Sequence, residues 1–540
     1  MLKPPRLLLY NDGRHANTYG YEPPMGIRQF REPVDELVDS AADTLIYCVG
    51  DTRVLLYDSK VGEHWGHNLT DWNMTVWHRA HVNLQLAIKE GIDPLRVVCE
   101  RANEKGIRIL PHLILPSQAW ENRAVAFHGR ASDFCFDHPE YAIGLEGVEL
   151  PDTETLSDKY PFDYNLPEVR AERFRIIEEL LTNYPTDGIE LDWFTFKPVC
   201  SPGSVDGFRN VLTGWMGEIR ETAERAAREQ GREKTIAVRV PAIWEGCWDQ
   251  GFDLKQWFED GIIDWIIPNS AGGGEQLDQD MALEPFVEEA HSNGCKVFAS
   301  FSANIGNDWY YGATKEMYHA AAANAYSQGV DGVRLDNFWP VSYPWGAEDY
   351  DIMRGMGHPD LLERKDKRFR ARSQRGEGSP EDPGAFGCRR PLPLTLTKGK
   401  PGPEIPIRVA DNLHTAEKDG CIDSVVLSTR VTDIGPEDEL EFFLNDEQLP
   451  LEWARKDDYT YKIGYVRMHA RIGAHYWFDF NLPESHWPLV GHNYLRVNLN
   501  KRTQALEKMV PVTVHDAEIT IRYRPHRNAP KQFERFPDSR

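Results

Sequence analysis

Through the first two-thirds of the chain, short apolar runs alternate with longer stretches in which hydrophobic residues recur every three or four positions. The short runs read as strands and the periodic stretches as helices with one buried face. Strands are predicted at Leu7 to Tyr10, Thr44 to Val49, Ile107 to Leu115, Thr186 to Phe194, Thr235 to Val240, Ile262 to Pro268, Lys296 to Phe301 and Val330 to Phe338. Helical spacing is clearest in Val169, Ile176, Ile177, Leu180, Leu181 and Tyr184, and again in Phe208, Val211, Leu212, Trp215, Met216 and Ile219. Eight strands in strict βα order favour an α/β fold of the (β/α)8 (TIM) barrel type over an open doubly wound sheet.

Past Gly357 the pattern changes. Residues 357–403 turn to Arg, Lys, Gly, Ser and Pro and read as a linker or extended segment. Beyond it, short alternating runs at Ser424 to Arg430, Glu439 to Leu444, Tyr476 to Phe480, Tyr494 to Val497, Val510 to Val514 and Ala517 to Tyr523 predict an all-β sandwich. The expected organisation is thus a barrel over 1–356, a linker over 357–403 and an ancillary β-sandwich over 404–540.

Composition narrows the partners. A net charge of -24 disfavours nucleic acid and anionic membranes, since both call for a basic face. No run reaches the ~18 apolar residues of a membrane span. No signal peptide is read at the N-terminus, so a cytoplasmic location is expected, with a secreted or periplasmic one only if the native chain carried an export signal. The eight cysteines are dispersed without a C-x-x-C pair, as suits reduced, buried thiols. No G-x-G-x-x-G follows the first strand, and Gly272-Gly273-Gly274 lacks the spacing and lysine of a phosphate loop. No cofactor is expected.

The chemistry centres on Thr186 to Phe194, T-D-G-I-E-L-D-W-F. With period two it sends Gly188, Glu190 and Asp192 to one side and Ile189 and Leu191 to the other. Two carboxylates facing a barrel interior must be hydrated, paired or put to use. Val330 to Trp339 repeats the frame, with Arg334 in place of Glu190 and Asp336 in place of Asp192. Asp187 and Asp331 belong to the strand starts at the opposite face and read as turn formers.

Strand C-termini converge on one face of a parallel barrel. The residues placed there are Asp12 and His15, Asp51, His112, Glu190, Asp192 and Trp193, Arg239 with Glu245 beyond it, Asn269, Ser300 and Ser302, and Arg334, Asp336, Asn337 and Trp339. Carboxylates and amides take up hydroxyls while tryptophan rings stack on sugar faces, so the set suits a polyol. Asp192 is expected as nucleophile or charge stabiliser, and Glu245 or Asp336 as proton donor, because glycoside hydrolysis needs two carboxyl groups. The expected binding residues are Asp12, His112, Glu190, Trp193, Arg239, Asn269, Arg334, Asn337 and Trp339. Glu190 could equally be an arginine's structural partner, and His112 a satisfied core histidine. The loop from Asp51 to Ala80 carries His64, His67, His78 and His81; His78 and His81 have the spacing to share a metal, but no third ligand is evident and no metal is expected.

The run from Asn165-Leu166-Pro167-Glu168-Val169-Arg170 through Tyr184 to Asp187-Gly188-Ile189-Glu190-Leu191-Asp192 resembles the N-P-x-V-R … Y-x-x-D-G-I-x-x-D signature of bacterial glycosyl-hydrolase-like barrels. The resemblance implies a (β/α)8 barrel acting on carbohydrate, often with a β-sandwich appended, and maps the family's strand-four acid onto Asp192. It transfers no proton donor, and family members are commonly secreted. The expectation is a glycosidase acting on an oligo- or polysaccharide, with the sandwich packed on the barrel or joining a homo-oligomer. The alternatives are a non-catalytic carbohydrate-binding barrel, or a polysaccharide lyase or metal-dependent hydrolase using the histidine-rich loop.

Overall fold

The computed structural model describes residues 2, 4–13, 18–51, 53–117, 132–143, 161–194, 198–270, 277–303, 305, 312–336, 345–373, 391–458 and 475–524. Eight parallel strands, β1 (Leu7–Asn11), β2 (Thr44–Cys48), β3 (Arg108–Ile114), β4 (Gly188–Asp192), β5 (Thr235–Pro241), β6 (Trp265–Asn269), β7 (Lys296–Phe301) and β8 (Gly332–Leu335), close into a barrel in chain order. A helix follows each: α1 (Ile27–Asp35), α2 (Pro94–Lys105), α3 (Pro167–Thr182), α4 (Val205–Gln230), α5 (Leu254–Glu259), α6 (Glu284–Ser292), α7 (Lys315–Ser327) and α8 (Ala347–Gly357).

Local sequence sets these elements. Asp93 caps α2 by accepting from the backbone N–H groups of Leu95 and Arg96, Pro94 supplies the first helical φ, and Gly106 closes the helix in the left-handed region at φ 69°. The buried face of α2, Leu95, Val98, Cys99 and Ala102, lies on the barrel wall. Strand alternation divides the core in two. Leu7, Leu9, Leu45, Ile189, Leu191 and Val238 face the helices, whereas Leu8, Tyr10, Ile46, Leu110, Ala237, Trp265, Ile267 and Phe298 fill the barrel.

The residue before each even-numbered strand is an aspartate, and all four do the same thing. Asp43 Oδ2 accepts from the N–H of Leu7 (3.1 Å), Asp187 Oδ2 from Ile109 (2.9 Å), Asp264 Oδ2 from Ile236 (2.7 Å) and Asp331 Oδ2 from Val297 (2.9 Å). Each aspartate's own N–H donates back to the same residue's carbonyl. Every odd strand is therefore clamped by two bonds at its start to the even strand that follows it. Asp187 and Asp331 do sit at the N-terminal rim as expected, but they brace neighbouring strands rather than merely form turns.

The glycines after them have a separate cause. A Cβ on Gly188 would lie 1.9 Å from the Thr235 carbonyl oxygen, and one on Gly332 would lie 2.2 Å from that of Arg6. Only glycine lets the next strand pass so closely.

The C-terminal part is β-rich, with one short helix at Leu413–Lys418 among its described residues. One antiparallel sheet contains β9 (Lys367–Arg370), β10 (Leu394–Thr395), β12 (Ile422–Thr432), β15 (Ala454–Asp458), β16 (His475–Asn481) and β18 (Thr513–Tyr523); the other contains β11 (Ile405–Val409), β13 (Glu439–Leu444), β14 (Glu447–Leu449) and β17 (Gly491–Lys501). They share one core, in which the Phe442 ring lies 4.9 Å from that of Phe478 and 5.1 Å from that of Phe480. Two expectations are corrected here. The expected linker contributes β9, which pairs with β18, so this sheet begins before residue 404; Lys367, Phe369 and Arg370 are buried in it. Of the run at Val510 to Val514 only Thr513 and Val514 are strand, and they continue into the run Ala517 to Tyr523 as one strand, β18, which passes a bulge opposite Arg430 and Val431.

β9 also ties the two parts together. Gln279, ahead of α6, donates to the Met317 and Arg368 carbonyls and accepts from the Arg370 N–H, and Asn324 of α7 donates to the carbonyls of Gln279 and Arg408. Among the described residues no helix is long and apolar enough to cross a membrane. Seven cysteines lie among them, all buried and free.

Candidate active site at the C-terminal ends of the barrel strands

Inward-facing residues near the strand C-termini form a charged cluster in two tiers. The lower tier joins β3, β4 and β8. His112 Nδ1 donates to Glu190 Oε1 (2.6 Å), and Arg334 donates to both Glu190 oxygens, Nε to Oε2 at 3.0 Å and Nη2 to Oε1 at 2.8 Å. Arg334 Nη1 is 3.4 Å from Ser300 Oγ on β7. Tyr10 forms the floor, its ring 4.9 Å from that of His112 and 4.8 Å from the Arg334 guanidinium carbon. Glu190 and Arg334 are both 0% exposed.

One inward position further along, the upper tier joins β4, β5 and the end of β8. Arg239 Nη1 donates to Asp192 Oδ2 (2.9 Å), and Nη2 donates to Asp336 Oδ2. Asp192 Oδ1 accepts from the Phe194 N–H (2.8 Å), and the half-buried Phe194 ring lies 4.5 Å from the Arg239 guanidinium carbon. Asp336 is held from below by Arg334 Nη1 at 3.3 Å, and His112 Nε2 lies 3.4 Å from Asp192 Oδ2. The tiers are one network with three carboxylates, two guanidiniums and one imidazole.

Burial alone would raise the Glu190 carboxyl, but the Arg334 charge and the His112 hydrogen bond bring it down from 4.5 to about 2. Asp336 follows the same logic: burial pushes it up, and Arg239 with Arg334 pulls it below the usual range. Arg334 is held more firmly charged despite burial by Glu190 and Asp336. Every acid so described is ionised at neutral pH. A group that must deliver a proton needs the opposite shift.

The sequence-predicted residues separate accordingly. Asp192, Asp336, Arg239, His112, Glu190 and Arg334 are brought together. Glu190 and Arg334 are spent on each other beneath the rim, so the expectation that they bind substrate is corrected to a supporting role. Asp336 lies between two arginines that pull its carboxyl below the usual range, the opposite of the shift a proton donor needs. Trp193 is also corrected. The parity that turns Asp192 inward turns Trp193 outward, where it is 0% exposed among Tyr164, Trp215 and Phe252 at ring separations of 5.0, 6.1 and 5.6 Å.

Asn269 is buried at the end of β6, its Nδ2 donating to the Ser270 carbonyl at 3.3 Å and its Oδ1 without a hydrogen bond among the described residues. Asp12 and Ser302 are buried at the ends of β1 and β7. Glu245 is exposed in the short helix Trp244–Asp249 after β5 and joins none of the cluster's contacts described above. His15, Asn337 and Trp339 lie outside the described residues. Tyr10 and Phe194 were missed; Tyr10 was open to the same alternation argument, being two residues on from the inward Leu8.

The histidine pair behaves differently from a metal pair. His81 Nδ1 bonds the Trp65 carbonyl oxygen at 2.8 Å, and both His78 and His81 rings pack on Trp72, at 5.5 and 5.4 Å.

No protein-family model matches the chain, and no curated protein matches it. Solved structures that align with it include an α-L-fucosidase isoenzyme from Paenibacillus thiaminolyticus (13% identity, TM-score 0.42, covering 66% of this chain and 49% of that one). Two others are an endo-β-1,4-mannanase from Thermotoga petrophila (12%, 0.42, 96% and 98%) and a maltogenic α-amylase from Thermotoga neapolitana (11%, 0.40, 91% and 99%). The chain spans about half the length of the fucosidase. Likeness at this level transfers no residue roles.

Proposed function

We propose that the protein is a glycoside hydrolase acting on an oligo- or polysaccharide, with Asp192 as the carboxylate that attacks or stabilises the anomeric carbon. The observation that carries this reading is the Asp192–Arg239–Asp336 arrangement on the inward face at the strand C-termini. Arg239 and the Phe194 N–H hold the Asp192 carboxylate in a fixed orientation, as a nucleophile requires. Asp336 neutralises the second arm of Arg239, so the guanidinium does not quench Asp192 alone.

With Asp336 held ionised, Glu245 is the proton donor in this proposal. Asp192→Asn should reduce turnover by at least about 10²-fold on glycans that the native protein cleaves, the lower end of what one placed catalytic group supplies. Asp336 continues to balance Arg239 in that variant, so the fold should survive. Near-native hydrolysis by Asp192→Asn sinks the assignment. Glu245→Gln should be slow on natural glycosides yet close to native on dinitrophenyl glycosides, whose leaving group needs no proton. Equal loss on both substrates removes Glu245 from the donor role.

A second reading is supported by the complete pairing of all three carboxylates: a barrel that binds carbohydrate without cleaving it. It would show saturable glycan binding with no product at any pH.

A further inference from the structure

Two insertions that follow neighbouring strands meet at the C-terminal side of the barrel. One, after β2, holds the short strand Glu63–His64 and the turn that carries His67; the other, after β3, holds the helix Asp133–Asp137. His67 Nε2 lies 2.8 Å from Glu63 Oε2 and 3.2 Å from Asp133 Oδ2. The opposite ring nitrogen, Nδ1, is 2.9 Å from the His64 carbonyl oxygen.

That last contact fixes the tautomer. A carbonyl accepts only, so Nδ1 carries the hydrogen, and in the neutral ring Nε2 presents its lone pair. A lone pair aimed at two carboxylate oxygens at these distances is repulsive. Something positive must stand between them, either a proton on Nε2 or a metal ion.

We propose that Glu63, His67 and Asp133 bind one divalent transition-metal ion of the zinc class, clipping the insertion after β2 to the one after β3.

The geometry suits an ion in three respects. One ligating atom from each residue lies within 4.8 Å of the others. An ion about 2.0–2.2 Å from each ligand sets them a little over 3 Å apart, so the side chains need shift only slightly. Each ligand also has its own support: His64 orients the imidazole, the Asp133 and Phe134 N–H groups donate to the Glu63 carboxylate at 2.6 and 3.3 Å, and Asn68 Nδ2 donates to Asp133 Oδ1 at 3.1 Å. Such outer bonds are what hold metal ligands in place.

The three side chains are 28–41% exposed, which leaves an approach from solvent and room for a water as fourth ligand. One imidazole with two carboxylates suits zinc, manganese, iron, cobalt or nickel better than calcium or magnesium, which prefer oxygen alone. His78 and His81, the pair that sequence spacing singled out, take no part.

The test is titration of the full chain with Zn²⁺ by calorimetry, with Mg²⁺ and Ca²⁺ as controls. The native protein should bind one Zn²⁺ per chain, saturably, with a rise in Tm. His67→Gln, Glu63→Gln and Asp133→Asn should each weaken binding by at least about 10-fold, while a His78→Ala/His81→Ala double variant binds as the native chain does. Circular dichroism in EDTA checks that each variant is folded, and Glu63→Gln is nearly isosteric. No saturable Zn²⁺ binding, binding that persists undiminished in the folded Glu63→Gln and His67→Gln variants, or binding lost in the double variant would each overturn the assignment.

Discussion

Removing the Glu190 charge while keeping its shape isolates the lower tier. Glu190→Gln leaves Arg334 buried at 0% exposure with only Asp336 as a charged partner, and breaking a buried pair this way costs about 3–5 kcal/mol, read by urea unfolding. The same carboxyl gives a pH signature. Its folded value of about 2 lies below its ordinary 4.5, so its stabilisation is complete above about pH 4.5 and is lost as pH falls from there through 2. Native protein should lose on the order of 3 kcal/mol across that window from this group, and the loss should be missing from Glu190→Gln. An identical acid dependence in both proteins would contradict the pairing. The facing of Glu190 and Asp192 was legible in T-D-G-I-E-L-D because side chains alternate strictly along a strand. The outward facing of Trp193 was legible by the same rule. A tryptophan at a strand end suggests a sugar platform by residue type, but parity places Trp193 among the helices.

At the level of elements, the repeated aspartates explain a pattern that composition leaves ambiguous. The first acid of D-G-x-x-x-D clamps a neighbouring strand and the second reaches the site, so one short frame spans both ends of the barrel. Asp187→Ala strands the buried Ile109 N–H and should cost about 1–3 kcal/mol in chemical denaturation, while Asp187→Asn, which keeps an acceptor oxygen, should cost less. Gly332→Ala should destabilise by about 1–3 kcal/mol or more, because its methyl meets a main-chain carbonyl that cannot rotate away. Equal stability of Gly332→Ala and native protein would mean that β8 and the segment before β1 can move apart. The positions of the eight strands were readable locally. The clamp was not, since it joins Asp187 to Ile109 and Asp331 to Val297 across helices, and no local periodicity encodes that register.

For the molecule as a whole, the seam between barrel and β-sheets is polar and densely bonded. Besides Gln279 and Asn324, Arg408 reaches Asp280 and Glu284, Arg372 reaches Asp278, and His492 Nε2 lies 2.7 Å from Asp280. Buried amides of this kind are costly to leave unpaired. Calorimetry should therefore show one cooperative transition, and Gln279→Ala should lower it by about 1–3 kcal/mol, since the substitution strands the Arg370 N–H. Two resolved transitions in the native protein would show instead that the parts fold separately.

The order of the strands, their phase and the inward facing of Asp192 and Asp336 were determined by the sequence alone, because period-two and helical patterns are local and each residue's parity follows from its neighbours. Tertiary structure alone decided which arginine meets which acid, that β9 leaves an apparent linker to join another sheet, and that Asp133 comes to Glu63 and His67. Those pairings join residues far apart in the chain, and they exist only once the ring has closed and fixed the register between its strands.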